Sequence, residues 1–381
     1  MPSLAEPTDR PLRLAFLGDA NSIHVHRWAG WFADNGHTVS LLVPEGFDIR
    51  PGLPASIQVE RFRPYYRGRF RPYGYVAEQR SLRRVIAGLR PDVVHAHYLT
   101  EYGWHAWMSG FHPYAITVWG SDVTISLRRS RRTAMYGRVA LRGADLVTGD
   151  SASLVADVIA AGARPERTHL AQFGVDTKRF CPGPDPVELR ARLGLEGRRV
   201  LFAPRLIRPL YRHGVAVEAL ASLPADYALL MGKYQVDEEE LAAVLARAEA
   251  LGVSDKIRVV PSIDHAEMPD FYRLAAAVLT IPMSDATPVS LLEALACERP
   301  VVATDLPSVR EWLGDLDAGS LVPVDDARAT AGAISRVAAR SAEEQSEIGR
   351  RGREIVQTRA GQDSNMAAVE AMYRELRARR P

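Results

Sequence analysis

The strongest constraint on the fold is a repeated alternation of short apolar runs with helical segments. Near the start, LRLAFLG (residues 12–18) is typical of a buried strand, and the helical stretch HVHRWAGWFADNG follows it. In the second half, RVLFAPR is strand-like, GVAVEALASL is helical, and YALLMGK is strand-like again. Short apolar strands separated by helices indicate parallel sheets built from βαβ units. The pattern therefore predicts an α/β chain with two doubly wound domains.

The best candidate for a domain boundary is FGVDTKRFCPGPDP, residues 173–186, which is rich in proline and glycine. We therefore predict an N-terminal domain over residues 1–175, a linker over 176–186 and a C-terminal domain over 187–362. A periodic helix over 363–381 is expected to pack back toward the N-terminal domain. Ligands of doubly wound sheets bind beyond the carboxyl ends of the strands, so the site is expected in a cleft between the domains.

Composition narrows the class of protein. The chain has 381 residues, 47% of them hydrophobic and 25% charged, and its net charge of +2 gives no strong field that favours nucleic acid. Two cysteines cannot build a disulfide framework, so a reducing compartment is expected. The first apolar run is too short for a signal peptide, and no run approaches the roughly 18 residues of a membrane span. These features predict a cytoplasmic protein.

The stretch SDATPVSLLEALACERPVVATD, residues 284–305, places two carboxylates at a predicted strand-to-helix junction. Asp285 lies among small turn residues, and Glu293 lies inside the helical LLEALA. Backbone N–H groups at such a helix start lack intrahelical partners and can bind an anion or sugar oxygens. A carboxylate also accepts two hydroxyl hydrogen bonds, which suits the vicinal diol of a ribose. The alternative is a solvated Glu293 and an Asp285 that caps the helix.

This stretch resembles the signature of the family 4 retaining glycosyltransferases, which have the GT-B fold of two Rossmann-like domains facing a central cleft. Their motif is Glu, seven residues, Glu, and Asp285 and Glu293 occupy its two positions. The resemblance implies that Glu293 binds the nucleotide ribose and that Asp285 contacts hydroxyls of the transferred sugar. Asp is one methylene shorter than Glu, and this departure bears on the identity of that sugar. The resemblance further implies that backbone amides cradle the sugar and phosphate at Ala286, Thr287 and Val289.

Two arginines correspond to contacts that the family makes with the donor diphosphate. The family has an Arg after the first strand of the C-terminal domain and a Lys one turn later. In VLFAPRLIRPLYRHG, Arg205 matches the Arg, whereas the Lys is missing. A guanidinium fits phosphate oxygens and the charge of a leaving group. Arg212, or alternatively Arg208, is predicted to supply the second cation, and the alternative for all three is an ordinary surface arginine.

In the N-terminal half, GDANSIHVH follows the first strand and resembles the family's glycine loop, which approaches the donor phosphates. Gly18 opens the turn, and Asn21 or Ser22 is predicted to cap the following helix. We assign Gly18 and Asn21 to donor binding. His24 is assigned to the acceptor side or to packing.

Two further strand ends are predicted to line the acceptor or sugar cleft. In DVVHAHY, His95 and His97 share one face of a strand, a pattern that could begin a zinc site. The two-domain pattern argues against the single barrel of metal-dependent hydrolases, and the family has the same pattern in its cleft, so His97 is assigned there. In AITVWGSDV, Trp119 stands where the family often has His, and Asp122 follows. A Trp can stack on a sugar but cannot accept a proton.

Two basic stretches lie in the same half, YYRGRFRPYGY (65–75) and SLRRSRRTAMYGRVALR (126–142). RNA binding is one interpretation, but no nucleic-acid-binding signature accompanies them. The resemblance implies contact with an anionic membrane or an acidic acceptor. The alternative is a solvated helix face.

The predicted function is retaining transfer of a hexose or N-acetylhexosamine from a nucleotide diphosphate sugar, UDP-linked on family frequency. The acceptor is a hydroxyl of a glycan, a lipid-linked glycolipid or a small natural product. Catalysis is assigned to Arg205, Arg212 and Asp285. The nucleotide sugar is a co-substrate, and no cofactor or metal is expected, because Arg205 and a helix N-terminus can replace a metal. The one Asp-x-Asp, at 315–317, lies far in sequence from the strand-tip site.

The same interpretation predicts peripheral contact with the inner face of the membrane, and no nucleic-acid partner is expected. Two alternatives remain open. The first is a GT-B nucleotide-sugar epimerase, which would act without an acceptor. The second is a non-catalytic protein that binds a sugar nucleotide or a nucleic acid.

Overall fold

The computed structural model describes residues 10–63, 71–172, 174–234, 236–314, 316 and 319–379. The chain divides into two compact units. The first combines the chain up to residue 173 with Ser364–Pro381, and the second is Gly174–Asp363. The boundary after residue 173 lies just ahead of the predicted linker at 176–186.

The first unit is built on a seven-stranded sheet in the order β3-β2-β1-β4-β5-β6-β7, and every neighbouring pair is parallel. Its strands are β1 (Arg13–Leu17), β2 (Thr38–Pro44), β3 (Ile57–Phe62), β4 (Val93–His97), β5 (Tyr114–Thr117), β6 (Leu146–Gly149) and β7 (Thr168–Leu170). All five residues of β4 are buried, as expected for a central strand covered by helices on both faces.

Among the described residues, the N-terminal part of this unit has six α-helices. They are α1 (Ile23–Asp34), α2 (Arg71–Leu89), α3 (Trp104–Ser109), α4 (Ser121–Thr124), α5 (Arg131–Gly143) and α6 (Ala152–Ala161). Ser22, Ser130 and Ser151 start α1, α5 and α6, and each side chain accepts a backbone N–H of the first turn. Such caps satisfy donors that a helix start leaves without partners.

The second unit repeats the architecture with a six-stranded, wholly parallel sheet in the order β10-β9-β8-β11-β12-β13. Its strands are β8 (Arg199–Ala203), β9 (Tyr227–Lys233), β10 (Ile257–Pro261), β11 (Ala275–Thr280), β12 (Val301–Thr304) and β13 (Gly319–Val322). Its helices are α7 (Val187–Arg192), α8 (His213–Ala221), α9 (Glu238–Ala250), α10 (Met268–Leu274), α11 (Val289–Ala296), α12 (Pro307–Leu313), α13 (Ala327–Ala338) and α14 (Ala342–Arg359).

The final helix, α15 (Gln362–Ala378), completes the core of the first unit. Met366, Val369 and Tyr373 are at most 1% exposed and pack with the residues of β1, β2 and α1. The Tyr373 hydroxyl meets Nδ1 of His95 and accepts the indole N–H of Trp28 at 3.3 Å. The helix is therefore an integral part of that core.

Both sheets are doubly wound, which confirms the predicted α/β class with two Rossmann-like units. Strand order reverses between β1 and β4 in the first unit and between β8 and β11 in the second. At such a reversal the helices leave in opposite directions and open a crevice at the carboxyl ends of the strands. Among the described residues, no helix has the length and apolar content to cross a bilayer.

Candidate active site

The loops that follow β8 and β11 bring two predicted site residues together in the second unit. Arg205 lies two residues beyond β8, and Asp285 lies five residues beyond β11. Nη2 of Arg205 is 2.8 Å from Oδ2 of Asp285, and the two side chains are 19% and 14% exposed. The pair therefore stands at the edge of the crevice, largely withdrawn from solvent but still accessible to a ligand.

Tyr211 fixes the Arg205 guanidinium from a second side. Arg205 donates to the Tyr211 hydroxyl at 3.1 Å, and its central carbon lies 4.5 Å from the centre of the Tyr211 ring. Burial opposes the charge of Arg205, but Asp285 and Tyr211 outweigh it and raise the pKa of the guanidinium. Arg205 is thus a permanent, oriented cation. A guanidinium has five N–H groups, so these contacts leave donors for phosphate oxygens.

Glu293 lies on α11, a helix whose eight residues are all buried. Tyr272, from α10, donates its hydroxyl to Oε2 of Glu293 at 2.8 Å, and Nε2 of His265 is 4.0 Å from Oε1. Burial, reinforced by the Glu293 charge, raises the pKa of Tyr272 far above its usual value, so the phenol remains a donor. The solvated Glu293 of the alternative interpretation is wrong: the carboxylate is 7% exposed and held in place.

The turn before α11 differs from the sequence expectation. Pro288 occupies the cap position without a side-chain cap bond, so the alternative in which Asp285 caps this helix is also wrong. The Asp285 carboxylate is engaged by Arg205, and its own carbonyl accepts from the Ser308 hydroxyl at 2.9 Å. The three residues predicted to cradle the donor by their amides are all buried, namely Ala286, Thr287 and Val289.

Arg212 and Arg208 lie in the same loop after β8. Arg212 precedes α8 in a left-handed conformation (φ 55°), and its Nη2 is 2.7 Å from Oδ2 of Asp325. Arg208 is exposed in that loop. His213, the first residue of α8, is buried, and burial lowers its pKa to about 4, so it is neutral at physiological pH. The conformation thus pairs Arg212 with a carboxylate, and the choice between the two arginines stays a prediction.

In the first unit, Gly18 directly follows β1 at the point where strand order reverses. A Cβ atom at this position would lie 2.9 Å from Cγ2 of Val25 and 3.3 Å from Cβ of His97. The close approach of strand and helix therefore requires glycine. Asn21 lies in the same turn, donating its backbone N–H to the Asp19 carboxylate at 2.9 Å and its side chain to the Asp48 carbonyl at 3.3 Å. The cap of α1 is Ser22.

His97 does not line an open surface in its unit. It is wholly buried, and its ring centre lies 5.1 Å from that of Trp28 and 4.4 Å from that of His95. Burial lowers the pKa of His97 to about 3, so the ring stays neutral. The predicted contact of His97 with a sugar therefore has no support in this conformation, because aromatic rings cover the strand face that the sequence pattern left open.

His95 explains why the HxH pair is packed rather than arranged for a metal. Its Nε2 lies 2.8 Å from Oγ1 of Thr117, and its Nδ1 meets the Tyr373 hydroxyl. Thr117 in turn bonds to Thr148 at 2.6 Å. Both ring nitrogens are thus committed to hydrogen bonds that tie β4, β5, β6 and α15 together.

Trp119 and His24 lie together, whereas Asp122 is inside the protein. The His24 and Trp119 rings meet edge to face with centres 5.5 Å apart. Asp122 is 0% exposed and accepts N–H groups of Leu99 at 2.8 Å, of Trp119 at 3.0 Å and of Val123 at 3.1 Å. Its carboxylate braces the loop that carries Trp119, so the predicted direct contact with a sugar is replaced by a positioning role.

The basic stretches fall partly outside the described residues. Residues 64–70 and the Asp-x-Asp at 315–317 lie outside them, except for Leu316. The stretch 126–142 forms a 3-10 turn (Ser126–Arg128) and then α5. Several of its apolar side chains are exposed, namely Met135, Tyr136 and Val139.

Four side chains that complete the site geometry have no signal in the sequence. Tyr211, His265, Tyr272 and Asp325 come from separate loops and helices. Tyr272 reaches Glu293 across 21 residues of chain, and Asp325 reaches Arg212 across 113. Such contacts are set by the sheet order and not by local spacing.

The two Rossmann-like units have the GT-B fold, with Arg205, Asp285 and Glu293 as candidate site residues, and comparison with known proteins gives the family. A profile described as "Glycosyl transferase 4-like" matches residues 13–151, and one described as "Glycosyl transferases group 1" matches residues 188–355. The chain belongs to the family 4 type of GT-B glycosyltransferases. This confirms the family suggested by the resemblance.

Individual relatives agree with this assignment. A D-inositol 3-phosphate glycosyltransferase of Frankia alni is 29% identical over 332 residues, which cover 78% of this chain and 79% of that protein. The protein of the same name from Xylanimonas cellulosilytica is 30% identical over 326 residues, covering 76% and 73%. Among solved structures, Anabaena HepE in complex with UDP and glucose superposes with a TM-score of 0.81 at 17% identity, covering 95% of this chain and 99% of that one. Sucrose-phosphate synthase from Thermosynechococcus elongatus has a TM-score of 0.80 at 20% identity, covering 96% and 99%.

Proposed function

We propose that this glycosyltransferase moves a hexose or N-acetylhexosamine from a UDP-linked donor to an acceptor hydroxyl, with retention of configuration and without a metal ion. The observation that carries the proposal is the arrangement of Arg205, Asp285 and Glu293 beyond the carboxyl ends of β8 and β11. That is the crevice in which doubly wound sheets bind nucleotides. The UDP in the HepE complex supports a uridine donor.

Glu293 is proposed to hold the donor ribose. Tyr272 takes up one lone pair of its carboxylate, and an ionised carboxylate offers about four acceptor positions. Two acceptor oxygens on one carboxylate suit the two hydroxyls of a vicinal diol. The rigid attachment to a buried helix orients the carboxylate before the donor arrives, which limits the entropy lost on binding.

Arg205 is proposed to bind the diphosphate and to stabilise it as it leaves, with Arg212 as the second cation. The first N–H groups of α11, at Val289 and Ser290, precede the intrahelical bonds that begin with Leu291 N–H to the Pro288 carbonyl at 2.9 Å. Such groups carry the positive end of the helix dipole. Together these fixed positive groups act where negative charge develops, which is the task that a metal performs in other transferases.

We infer retention from the side chains that are candidates to act on the sugar. A double displacement needs a carboxylate free to attack the anomeric carbon, whereas Asp285 is paired with Arg205. An inverting step needs a general base at the acceptor hydroxyl, and the Trp119 indole only donates. A same-face reaction remains. The bond from the anomeric carbon to the phosphate oxygen breaks first. The acceptor oxygen then bonds to that carbon from the same face while its proton passes to the departed phosphate oxygen.

The test of the stereochemistry is proton NMR of the first-formed product from an α-linked UDP-hexose. An α-linked product is expected. A β-linked product would overturn the proposal, as would a trapped glycosyl adduct on Asp285. Activity is also expected to survive EDTA, and complete loss that magnesium or manganese restores would rule out the metal-free step.

Alanine substitutions distinguish the proposed roles of the Glu293 and Asp285 carboxylates. Glu293→Ala is expected to weaken binding of UDP and of the UDP-sugar alike, by about 2–4 kcal/mol, because a buried diol contact is lost. Asp285→Ala is expected to reduce transfer strongly while calorimetric affinity for UDP changes little. Equal losses of UDP affinity in both variants would contradict the assignment of Asp285 to the sugar.

The acceptor is proposed to be a hydroxyl compound, and the relatives indicate which to test first. Because two of them are named D-inositol 3-phosphate glycosyltransferase, that polyol phosphate is the first candidate. A lipid-linked glycan and a small natural product are the comparison acceptors. Hydrolysis or epimerisation of the donor with none of the acceptors glycosylated would count against a transferase with an acceptor of these classes.

We also propose peripheral contact of α5 with an anionic membrane. The stretch 126–142 has six arginines and no acidic residue, and the exposed Met135, Tyr136 and Val139 lie among them. Attraction to anionic lipid should weaken with salt, because counterions screen exposed charges. Co-sedimentation with phosphatidylserine vesicles measures this directly. Binding that is absent even at low salt would leave α5 as a solvated face.

A further inference from the structure

A second concave site lies in the second unit, at the amino ends of the strands, whereas Arg205 lies beyond a carboxyl end. It is a cavity of about 500 Å³ lined by the first residues of β8, β9 and β11. Arg199, Tyr227 and Ala275 are these first residues, and Arg299, just before β12, lies beside them. The cavity therefore opens at the amino ends of the strands, where the proposed glycosyl transfer has no role for it.

A neighbouring groove of about 340 Å³ shares the Arg199, Ala275, Ala276 and Arg299 wall. The two concavities together contain five arginines against two carboxylates, Asp185 and Glu298. The arginines are Arg190, Arg198, Arg199, Arg273 and Arg299. A concave surface with this excess of positive charge concentrates anions.

Most of these arginines already have partners. Arg190 bonds to both oxygens of Asp185, at 2.8 and 2.9 Å. Arg199 lies 3.1 Å from Asp226, and Arg273 lies 2.8 Å from Asp270. Arg198 donates to the Ala225 carbonyl. Carboxylates therefore offset the charges of Arg190, Arg199 and Arg273, whereas the charge of Arg198 meets only a neutral carbonyl.

Of the five arginines, Arg198 and Arg299 have no carboxylate of the described part of the chain within ion-pairing distance, and of these two only Arg299 lines both concavities. It is partly buried, with Nε 3.3 Å from the Cys297 carbonyl and Nη1 3.5 Å from the Arg273 carbonyl. Burial lowers its pKa, and Glu298 and Asp185 act on it only from a longer range. A partly buried cation with two long neutral contacts is costly, and an anion would offset that cost.

The backbone around Arg299 is shaped by two local irregularities. The pairing of β11 with β8 shifts register between Ala275 and Ala277, which leaves Ala276 exposed in the wall of both concavities. Glu298, directly before Arg299, has a left-handed conformation (φ 58°) at the end of α11. A side chain in this conformation is strained, and strain of this kind often accompanies ligand sites.

We propose that this cavity binds a small phosphorylated compound, with the phosphate on Arg299 and the organic part along the Tyr227 wall. A planar guanidinium suits a phosphate because it donates two parallel N–H bonds. The volume exceeds what a bare phosphate fills and lies within the range of small-molecule pockets. The ligand is thus an organophosphate of monosaccharide or nucleoside size, distinct from the donor.

The test is isothermal titration calorimetry of the full chain with inorganic phosphate, glucose 6-phosphate and AMP, at constant ionic strength set with sodium chloride. Four variants separate the sites. Arg299→Gln removes the proposed ligand, and Arg299→Lys keeps the charge but not the planar fork. Arg192→Gln is the charge-matched control on the exposed face of α7, and Arg205→Gln removes the donor-side cation.

Saturable binding of an organophosphate, tighter than that of inorganic phosphate, is expected in the wild type, Arg192→Gln and Arg205→Gln. Arg299→Gln should weaken it at least about tenfold, the loss typical of one charge-assisted pair, and Arg299→Lys should give an intermediate value. Which of glucose 6-phosphate and AMP binds tighter identifies the class of ligand. If Arg299→Gln unfolds, the Lys variant decides.

Three results would overturn the proposal. One is unchanged affinity in both Arg299 variants, and another is a loss that follows Arg205→Gln instead. The third is an organophosphate that binds no tighter than inorganic phosphate, or the absence of any saturable binding. None of these results bears on glycosyl transfer, which has its own assay.

Discussion

The buried Asp122 makes stability depend on pH in a direction that can be measured. Burial raises the pKa of Asp122 from 3.8 to about 6, although four backbone N–H groups oppose the rise. Because the folded protein holds this proton more tightly than the unfolded chain, the contribution of Asp122 to stability is fully present below about pH 4 and is lost as pH rises through 6. The full difference is worth about 3 kcal/mol, with about 2 kcal/mol of it lost between about pH 4.5 and 7.5.

The assay is urea unfolding of the wild type and of Asp122→Asn, followed by tryptophan fluorescence. Five of the six tryptophans lie in the first unit, so the signal reports mainly on the unit that contains Asp122. The amide cannot titrate, and it presents an NH₂ group where a carboxylate oxygen accepted a backbone N–H. The substitution should therefore lower the free energy of unfolding by about 1–3 kcal/mol at pH 4.5, and its difference from the wild type should narrow toward pH 7.5.

The opposite slope would refute this reasoning. A carboxylate that accepts several N–H bonds can also have a lowered pKa when hydrogen bonding outweighs burial. In that case the wild type would become more stable relative to the Asp122→Asn variant as pH rises. A gap that does not change with pH would show that Asp122 has the same pKa in the folded and unfolded chains.

Three further substitutions, one of them with a matched control, test other parts of the structure. Gly18→Ala should destabilise the first unit by about 1–3 kcal/mol by overpacking, whereas Gly88→Ala, which has open space around it in α2, should be neutral or stabilising in the same thermal melts. Tyr272→Phe should cost about 1–3 kcal/mol of stability and weaken UDP binding in calorimetry, because Glu293 loses a buried donor. Unchanged UDP affinity would show that Tyr272 does not contribute to donor binding. Glu298→Gly should raise stability by about 0.5–1 kcal/mol by relieving a left-handed residue at a helix end, and a lower melting temperature would contradict that.

The central strands and one edge strand, β10, could be predicted from the sequence, whereas the other three edge strands could not. Apolar runs such as DVVHAHY and AAAVLTIPM belong to strands that helices cover on both faces, and burial leaves a clear signal in composition. The strands β3, β7 and β13 are IQVERF, THL and GSLV, which are short or carry charge. Edge strands face solvent on one side, and their sequences resemble loops for that reason.

The candidate site was predictable where a motif fixes local backbone and not where distant elements meet. The spacing of Asp285 and Glu293 places both on one strand-to-helix junction. It contains no information on Tyr272 or Arg205, whose contacts depend on sheet order. The burial of His97 could not be predicted either. Alternation along a strand identifies which residues share a face, but it does not show that Trp28 covers that face.

The position of α15 in the first core has a consequence for how the chain acquires its structure during synthesis. Residues 174–363 emerge from the ribosome between the two parts of the first unit, so the second unit can complete its core first. Until Tyr373 emerges, Phe32, Trp28 and His95 lack the ring that packs against them and bonds to two of them. The nascent first unit is then an unfinished layer with an apolar face open to water, and it depends on protection from aggregation until the last helix arrives.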